Sequence, residues 1–361
     1  MMCGALLFKV EGVKMKFIHI ADVHFDMPMV ALNGNKELAK KRRSEQKKAF
    51  HDVIQFAKQK KVDCLFIAGD LFEQKFVEKR TIDYIISNFQ LIPEIPIFIS
   101  PGNHDPLIKN SPYENVEWPE NVTIFRKEFG LISLEEADIY GIGFEDYEMD
   151  DNLIPEITIE DEKKINILVT HGTLNGAMHQ YQDIKEKDLK KFDYVALGHI
   201  HEKKIDDTRM IYPGSLLSCG FDEPGEHGFV YGEITKESCQ ISFHPLPYRK
   251  FEKMELDISQ CTIISEALEQ LKLGEDIYEI KIVGSRNFEV EDLIEAIREM
   301  NKNVCKIKDN TKMSYSLEDI QKENNLKGVF TRKILTEMEK MTEDEKQETS
   351  KIIDLVYQMM A

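Results

Sequence analysis

Five short apolar runs in the first 200 residues of the chain each lead to polar side chains that can bind a metal ion. The runs cover residues 17–21, 64–68, 95–100, 165–170 and 194–197, and longer helical patterns lie between them. This alternation is typical of a layered α/β domain, in which helices flank the sheets. Because α/β sheets build their sites at the carboxyl ends of strands, we expect the polar side chains to gather at one edge.

The motifs that follow these runs offer nitrogen and oxygen donors only. In chain order they are Asp22-x-His24, Gly69-Asp70, Gly102-Asn103-His104-Asp105, His171-Gly172 and Gly198-His199-x-His201. A donor set without thiolate suits manganese, iron, zinc or magnesium rather than a structural zinc finger. Residues two apart on an extended strand point the same way, so the two Asp/His-x-His pairs can converge. The ordered set predicts a site for two divalent metal ions.

The remaining histidines lack such a setting, and a lone histidine after a strand is more often an interior residue than a ligand. We interpret as structural His19, His51, His179, His227 and His244. Ser215 lies in Pro213-Gly214-Ser215 and is interpreted as part of a turn rather than as a nucleophile.

Composition restricts the class of protein. The 361 residues favour a main domain with a smaller appendage. A formal net charge of -18 argues against a general DNA-backbone binder, although bound dications would attract phosphate locally. The six cysteines form no CxxC pair, and no apolar run approaches the roughly 18 residues that a membrane span needs. We expect a cytoplasmic protein without membrane association.

The pattern of elements divides the chain into four predicted segments. Residues 1–14 are an upstream extension, since MKFIHIAD begins a strand at Met15 and we expect synthesis to start there. Residues 15–247 form the main domain, 248–312 a small α/β capping domain, and 313–361 a helical tail. The capping domain reads as strand 250–257, helix 263–271, strand 277–283, helix 290–300 and strand 304–307.

Two surface features each allow two interpretations. The predicted helix 35–60 carries the basic run Lys40-Lys41-Arg42-Arg43 with Lys47-Lys48, which forms either a solvated face or a contact with a nucleic-acid backbone. In the tail, an apolar stripe packs either on its own domain or on a partner helix. The stripe consists of Leu326, Phe330, Ile334, Met338 and Met341.

At these motifs the sequence resembles the calcineurin-like metallophosphoesterases, and among them the SbcD-type DNA repair nucleases, including their YhaO-like branch. The five phosphoesterase motifs are matched by DVH, GDLF, GNHD, THG and GHIH. The nuclease branch is matched by the loop Tyr212-Pro213-Gly214-Ser215, the Glu-rich segment after it, the βαβαβ cap and the helical tail. One departure is that Phe25-Asp26 follows DVH where SbcD proper has Leu-Gly.

The resemblance implies a four-layer β-sandwich flanked by helices and a role for each motif residue. One metal would be held by Asp22, His24, Asp70 and His201, and the other by Asp70, Asn103, His171 and His199, with Asp70 shared. Manganese is the metal we expect, ahead of iron, magnesium or zinc. His104, left without a metal, would stabilise the transition state or protonate the leaving oxygen, and Asp105 would orient it.

Three functions stay open at this point. The first is a DNA exonuclease and endonuclease, the nuclease subunit of an SMC-like ATPase complex and, by family resemblance, a homodimer. The second is a phosphoesterase for small phosphomonoesters or cyclic nucleotides, which the acidic charge favours and the extra domain disfavours. The third is a DNA-end-binding scaffold for the ATPase. The complete ligand set places the scaffold last.

Overall fold

The computed structural model describes residues 14–32, 34–149, 152–175, 181–207, 209–286, 288–313 and 317–342, with a few positions from 345 to 357. The chain divides into two compact units, Met1–Phe251 and Glu252–Ala361. Of the predicted extension 1–14, all but Lys14 lies outside the described residues. The boundaries at 247 and 312 stay a prediction. Within the described residues, no helix has the length and apolar character needed to cross a membrane.

The described elements are numbered here in chain order. The strands are β1 Met15–Ile20, β2 Cys64–Ile67, β3 Ile97–Ile99, β4 Val122–Ile124, β5 Gly130–Ser133, β6 Ala137–Ile142, β7 Ile165–His171, β8 Thr173–Leu174, β9 Asp183–Ile184, β10 Tyr194–Gly198, β11 Met210–Ile211, β12 Gly228–Ile234, β13 Cys239–Pro245, β14 Phe251–Asp257, β15 Ile277–Arg286 and β16 Val304–Met313. The α-helices are α1 Lys36–Lys60, α2 Lys79–Phe89, α3 Pro112–Asn115, α4 Glu186–Leu189, α5 Ile264–Gln270, α6 Val290–Met300, α7 Leu317–Ile320 and α8 Leu326–Met338.

Two sheets form the centre of the first unit. One has the order β13-β12-β1-β2-β3-β4 and the other the order β11-β10-β7-β6-β5. The strands β1 to β4 run parallel to one another, as do β6, β7, β10 and β11. The carboxyl ends of the parallel strands therefore lie at a common edge within each sheet. The α/β class and the four-layer sandwich that the sequence predicted are confirmed.

Alternation along β1 shows how the layers are held together. Phe17 is buried between the two sheets, where its ring centroid lies 4.5 Å from that of Tyr194. Ile18 points to the opposite face and packs in the cluster that contains Phe50 and Val53 of α1. A third buried cluster covers the outer face of the second sheet. Each sheet is thus buried on both faces, which explains why its central strands are nearly continuous apolar runs.

Helix α1 confirms the helix predicted at 35–60. The side chain of Asn35 caps its first turn by accepting a hydrogen bond from the backbone N–H of Leu38 at 3.1 Å. The helix ends where Lys61 takes a left-handed conformation with φ 50°. Its buried face includes Phe50 and Val53, which lie about one turn apart and meet the first sheet.

The basic run on α1 is not uniform. Lys40, Lys41 and Arg43 are exposed, as the solvated-face interpretation expected, but Arg42 is only 2% exposed. The Arg42 guanidinium donates to the carbonyl oxygens of Ser218 and Arg249, each at 2.7 Å. The solvated-face interpretation is therefore wrong for Arg42, whose side chain joins α1 to two later segments of the chain.

The second unit contains the predicted strand-helix-strand-helix-strand pattern. Strands β14, β15 and β16 form one sheet in that order, and β15 pairs in parallel with β16. Helices α5 and α6 contribute to its apolar core, which includes Ile280 and Leu293. In the tail, Leu326 of the predicted stripe is 70% exposed, whereas Phe330 is half-buried and its ring centroid lies 6.0 Å from that of Tyr357.

We expect Arg42→Met to lower the free energy of unfolding of the first unit by about 3 kcal/mol. The substitution leaves two buried carbonyl oxygens unpaired, at about 1–3 kcal/mol each. Urea unfolding followed by the fluorescence of Trp118, the chain's single tryptophan, measures this unit selectively. Arg43→Met, at the exposed neighbouring position, is the control and should change the free energy by no more than about 0.5 kcal/mol. Equal effects of the two substitutions would contradict the role given to Arg42.

Candidate metal centre

The seven metal donors predicted from the sequence come together where the carboxyl ends of the two sheets meet. Three strands of one sheet and two of the other deliver them. Asp22 and His24 follow β1, Asp70 follows β2, Asn103 follows β3, His171 ends β7, and His199 and His201 follow β10. The backbone N–H of His199 donates to Asp22 Oδ1 at 3.0 Å, which joins the two sheet edges directly.

Several of these residues have a backbone conformation that residues other than glycine rarely adopt. The φ angles are 51° at Asp22, 52° at His24, 53° at Asp70 and 98° at His199. The strain is held by hydrogen bonds between the first two motifs, from Asp22 N–H to the Gly69 carbonyl at 3.1 Å and from His24 N–H to the Asp70 carbonyl at 2.9 Å. Strain of this kind clusters at functional sites, where it aims side chains.

Glycines allow the motifs to approach one another closely. A Cβ atom on Gly69 would lie 2.3 Å from His171 Nδ1, and one on Gly102 would lie 2.3 Å from Asp70 Oδ1. Gly69 also has φ 85°, in the left-handed region. Both positions are therefore restricted to glycine by the donors packed against them.

The first group of donors is Asp22, His24, Asp70 and His201. The Nε2 atoms of His24 and His201 lie 3.0 Å apart. Asp70 Oδ2 lies 3.7 Å from His24 Nε2, and Asp22 Oδ1 lies 3.9 Å from His201 Nε2. Ligands of one small cation have such spacings, and Asp22, His24 and His201 meet the distance criterion for a metal-binding group.

The second group is Asp70, Asn103, His171 and His199. Asn103 Oδ1 lies 3.0 Å from His171 Nε2 and 3.2 Å from His199 Nδ1. Asp70 Oδ2 lies 3.4 Å from His171 Nε2. The same Asp70 oxygen therefore faces both groups, which is the position that a shared ligand requires.

Two glutamates that the sequence analysis did not name fix the first group. Glu73 Oε1 accepts from His24 Nδ1 at 2.8 Å, and Glu223 Oε1 accepts from His201 Nδ1 at 2.7 Å. In the same way the Ala68 carbonyl lies 2.9 Å from His171 Nδ1. These acceptors place the Nδ1 proton toward the protein and direct each Nε2 inward, the arrangement that metal-binding histidines have. Glu73 lies three residues after Asp70, and Glu223 lies in the Glu-rich segment after Ser215.

The inward-facing atoms need positive charge between them. In the metal-free protein, protonated histidines supply this charge. Burial disfavours the charged form of His171, but the negative charge of Asp70 outweighs burial and raises the pKa of His171 to about 9. For His201, burial is outweighed by the Glu223 hydrogen bond and by Asp22, and the pKa rises to about 9. Burial likewise opposes ionisation of Asp70, yet His171 and His24 hold its pKa well below the usual range. Buried carboxylate, amide and imidazole donors fit divalent cations, which would replace those protons.

His104 lies beside the donors and is open to solvent, with 43% of its side chain exposed. Its Nδ1 lies 3.0 Å from Glu73 Oε2, and its ring centroid is 4.8 Å from that of His24. Burial disfavours the charged form, but Glu73 and Asp70 outweigh burial and raise the pKa of His104. A proton on His104 is therefore accessible from solvent beside the donors.

No contact among the described residues supports the orienting role predicted for Asp105. Asp105 is fully buried, and among the described residues it makes no hydrogen bond with His104. Its carboxylate accepts from the backbone N–H groups of Asp70, Leu71 and Gly102 and from the Tyr113 hydroxyl, at 2.7 to 3.0 Å. Asp105 thus ties the second motif to the third, and Glu73 orients His104.

His24, Glu73 and His104 also satisfy the distance criterion for a metal-binding group. Both oxygens of Glu73 are already occupied by Nδ1 atoms, one from each histidine. A cation there would break both hydrogen bonds and turn His24 away from the first group. We therefore interpret the three residues as a hydrogen-bonded relay between a donor and His104.

The other histidines that the structure describes have structural partners. His19 Nδ1 lies 3.0 Å from the Tyr194 hydroxyl, and His51 Nδ1 lies 2.8 Å from Asn88 Oδ1. His244 contacts Ser242, and His227 contacts Ser215. His179 lies outside the described residues. Ser215 is fully buried and donates to Glu223 Oε2 at 3.0 Å, so it braces the glutamate that holds His201.

A cavity of about 520 Å³ opens beside the last two histidines of the centre. Its walls combine His199 and His201 with the carboxylates Glu202, Asp222 and Glu223. A cavity of this volume falls in the range of small-molecule sites.

Comparison with known proteins places the chain in a family. The model of the calcineurin-like phosphoesterase family matches residues 15–203, more than half of the chain. The chain is also similar to the uncharacterized metallophosphoesterase YhaO of Bacillus subtilis (strain 168), with 28% identity over 260 residues. That alignment covers 68% of this chain and 63% of the relative, so the chain spans less than two thirds of the relative's length. The chain belongs to the calcineurin-like phosphoesterase family.

Proposed function

We propose that this chain hydrolyses phosphodiester bonds in DNA as an SbcD-type nuclease. The observation that carries the hydrolytic part is the convergence of seven buried or half-buried donors next to the exposed His104. One metal would be held by Asp22, His24, Asp70 and His201, and the other by Asp70, Asn103, His171 and His199. Manganese is the metal we propose, with iron, magnesium or zinc as alternatives.

Side chains of the protein would position the metal ions and the proton donor for hydrolysis. Bound dications would supply a nucleophilic hydroxide from water and neutralise charge on the phosphate. Asp70 holds the two donor groups in register, and Asp105 fixes the loop on which Asp70 lies. His104 would donate its Nε2 proton to the leaving oxygen, while Glu73 holds the opposite ring nitrogen.

The second half of the chain supports DNA as the substrate. The loop Tyr212-Pro213-Gly214-Ser215, which resembles the nuclease branch, lies against the metal donors: the backbone N–H of Ser215 donates to the His201 carbonyl at 3.0 Å. The departure at Phe25-Asp26 has a local explanation. Phe25 packs against Phe50 in the core, and Asp26 Oδ2 accepts from the backbone N–H of Glu78 at the start of α2. Phe25 thus packs on the middle of α1 and Asp26 caps the start of α2, and the donor set is unchanged.

The 520 Å³ cavity favours a second candidate function, the hydrolysis of a small phosphomonoester or cyclic nucleotide. Its carboxylates repel a polyanion, as does the net charge of -18. We place this function second, because a capping domain and a helical tail are seldom needed for a small substrate.

Partners form a separate part of the proposal. By resemblance, the tail would dock an SMC-type ATPase and the chain would act as a homodimer in the cytoplasm. Leu326 and Val329 on α8 are more than half exposed, which leaves apolar surface for such docking. The docking is tested by co-purifying an SMC-type ATPase with the chain, once with residues 313–361 present and once with them removed.

We expect the purified chain to cleave linear double-stranded DNA in the presence of manganese and to turn over a small phosphomonoester poorly. Gel analysis of DNA products and release of p-nitrophenol from p-nitrophenyl phosphate measure the two activities side by side. Asp70→Ala is the blank for both. Turnover of the monoester alone would replace the nuclease by the second candidate.

We expect His104→Ala to retain both metals and to lose about 10²-fold or more in turnover, because it removes a proton donor that is not a ligand. Asp70→Ala should lose metal and activity together, since both donor groups share its carboxylate. Metal content by mass spectrometry and the rate of phosphodiester hydrolysis are measured on the same samples. Loss of metal from His104→Ala would make His104 a ligand, and activity in Asp70→Ala would refute the shared-ligand scheme.

Metal binding should release protons at pH 7.5 and weaken as the pH falls. His171 and His201 have pKa values of about 9 without metal, so both carry a proton at that pH and lose it to the cation. Calorimetric titration with manganese in buffers of different ionisation enthalpy counts the protons, and we expect about two per chain. A heat that does not depend on the buffer would contradict the position of these two protons.

A further inference from the structure

We propose that a basic cleft on α1 binds the phosphate backbone of a nucleic-acid strand on its way to the metal centre. The choice of ligand rests on the proposed nuclease function. The cleft has a volume of about 760 Å³ and lies between α1 and α2. Five basic side chains line it: Lys40, Arg43, Lys47, Lys48 and Arg80.

Most of the basic side chains in the cleft have no ion-pair partner among the described residues. Among the described residues, Lys40, Arg43, Lys47 and Lys48 have no ion-pair partner, and only Arg80 is paired, with Glu78. Lys40, Arg43 and Lys48 are exposed. A chain with net charge -18 thus concentrates unpaired cations in one concave surface, which is the local feature that a polyanion requires.

The two carboxylates of the cleft keep their negative charge, but the five basic side chains outnumber them. Asp26 Oδ2 accepts from the backbone N–H of Glu78 at 3.0 Å, and Asp52 Oδ2 accepts from the Tyr248 hydroxyl at 2.5 Å. The Tyr84 hydroxyl donates to the Lys47 carbonyl at 2.5 Å. The phenol groups are therefore structural, and what the cleft offers a ligand is ammonium and guanidinium groups, which recognise phosphate rather than bases.

The cleft opens beside the segment that carries the first metal donors. Asp26, on its wall, is two residues from His24, so their Cα atoms lie within about 7 Å of each other. A phosphate bound by the cleft and a phosphate at the metals can consequently belong to one strand. This continuity favours a nucleic-acid backbone over an acidic protein segment, which would have no use for the adjacent centre.

The test compares two triple variants that change the net charge equally. The cleft variant combines Lys40→Gln, Arg43→Gln and Lys48→Gln. The control combines Lys58→Gln, Lys163→Gln and Lys187→Gln, three exposed lysines of the same unit that have no ion-pair partner among the described residues. Binding to a labelled DNA duplex is measured by fluorescence anisotropy at several salt concentrations, in an Asp70→Ala background that prevents cleavage.

We expect the cleft variant to bind duplex at least about tenfold more weakly at 0.1 M salt, and its slope of log K against log salt to fall in magnitude by about 2 to 3. The control should keep the affinity and slope of the parent. Equal loss in both variants would assign the effect to overall charge and overturn the proposal. Poly-glutamate serves as the acidic protein ligand for comparison. If the cleft variant lost binding to poly-glutamate but kept its binding to DNA, the choice of ligand would be overturned.

Hydrolysis separates this inference from the proposed function. With Asp70 intact, the cleft variant should cleave DNA at least about tenfold more slowly than the parent at limiting DNA, and should hydrolyse bis-p-nitrophenyl phosphate at the parental rate, since that diester needs only the metal centre. A chain that binds DNA through the cleft but cleaves none would refute the nuclease and leave the cleft in place. A cleft variant that also loses the small diester would place these residues in the metal centre and overturn the proposal.

Discussion

The central constraint on this structure is that lone pairs around Asp70 are buried close together and repel one another. The Asp70 carboxylate, the Asn103 amide oxygen and inward-facing imidazole nitrogens share a space in which, without a metal ion, protons on His171 and His201 supply positive charge. The protein holds them there by hydrogen bonds from behind, through Glu73, Glu223 and the Ala68 carbonyl. Protons or dications are what make this arrangement stable, and a group that can exchange two protons for two dications is prepared for hydrolytic chemistry at neutral pH.

The two sheets supply the rigidity that such a centre needs. Parallel strands deliver the donors at a common edge, and left-handed backbone at Asp22, Asp70 and His199 turns each side chain inward. This conformation is unfavourable in isolation and persists because the surrounding contacts determine it. Asp105 shows the same principle: it touches no reacting group, yet three backbone N–H groups and a tyrosine converge on it.

Local periodicity and an ordered set of motifs predicted the layered α/β domain, the capping elements and the gathering of the donors, and the family resemblance implied the sandwich. The sequence did not predict Glu73, Glu223, the burial of Arg42 or the backbone contacts of Asp105. The sequence alone does not distinguish a glutamate that holds a histidine by a hydrogen bond from a glutamate on the surface. What distinguishes them is contact with residues far along the chain, such as the 207 positions that separate Arg42 from the Arg249 carbonyl it binds. Local patterns carry no such information.

The junction between the two sheet edges also determines when the site can form during translation. The hydrogen bond from His199 to Asp22 joins residues 177 positions apart. Translation at roughly 5–20 residues per second takes about 10–40 s to reach the last histidine of the centre. During that interval the donors on β1 and β2 are already made, while the second sheet that completes their environment is not. A metal site built from these residues can therefore be completed only late, after most of the sandwich has emerged from the ribosome.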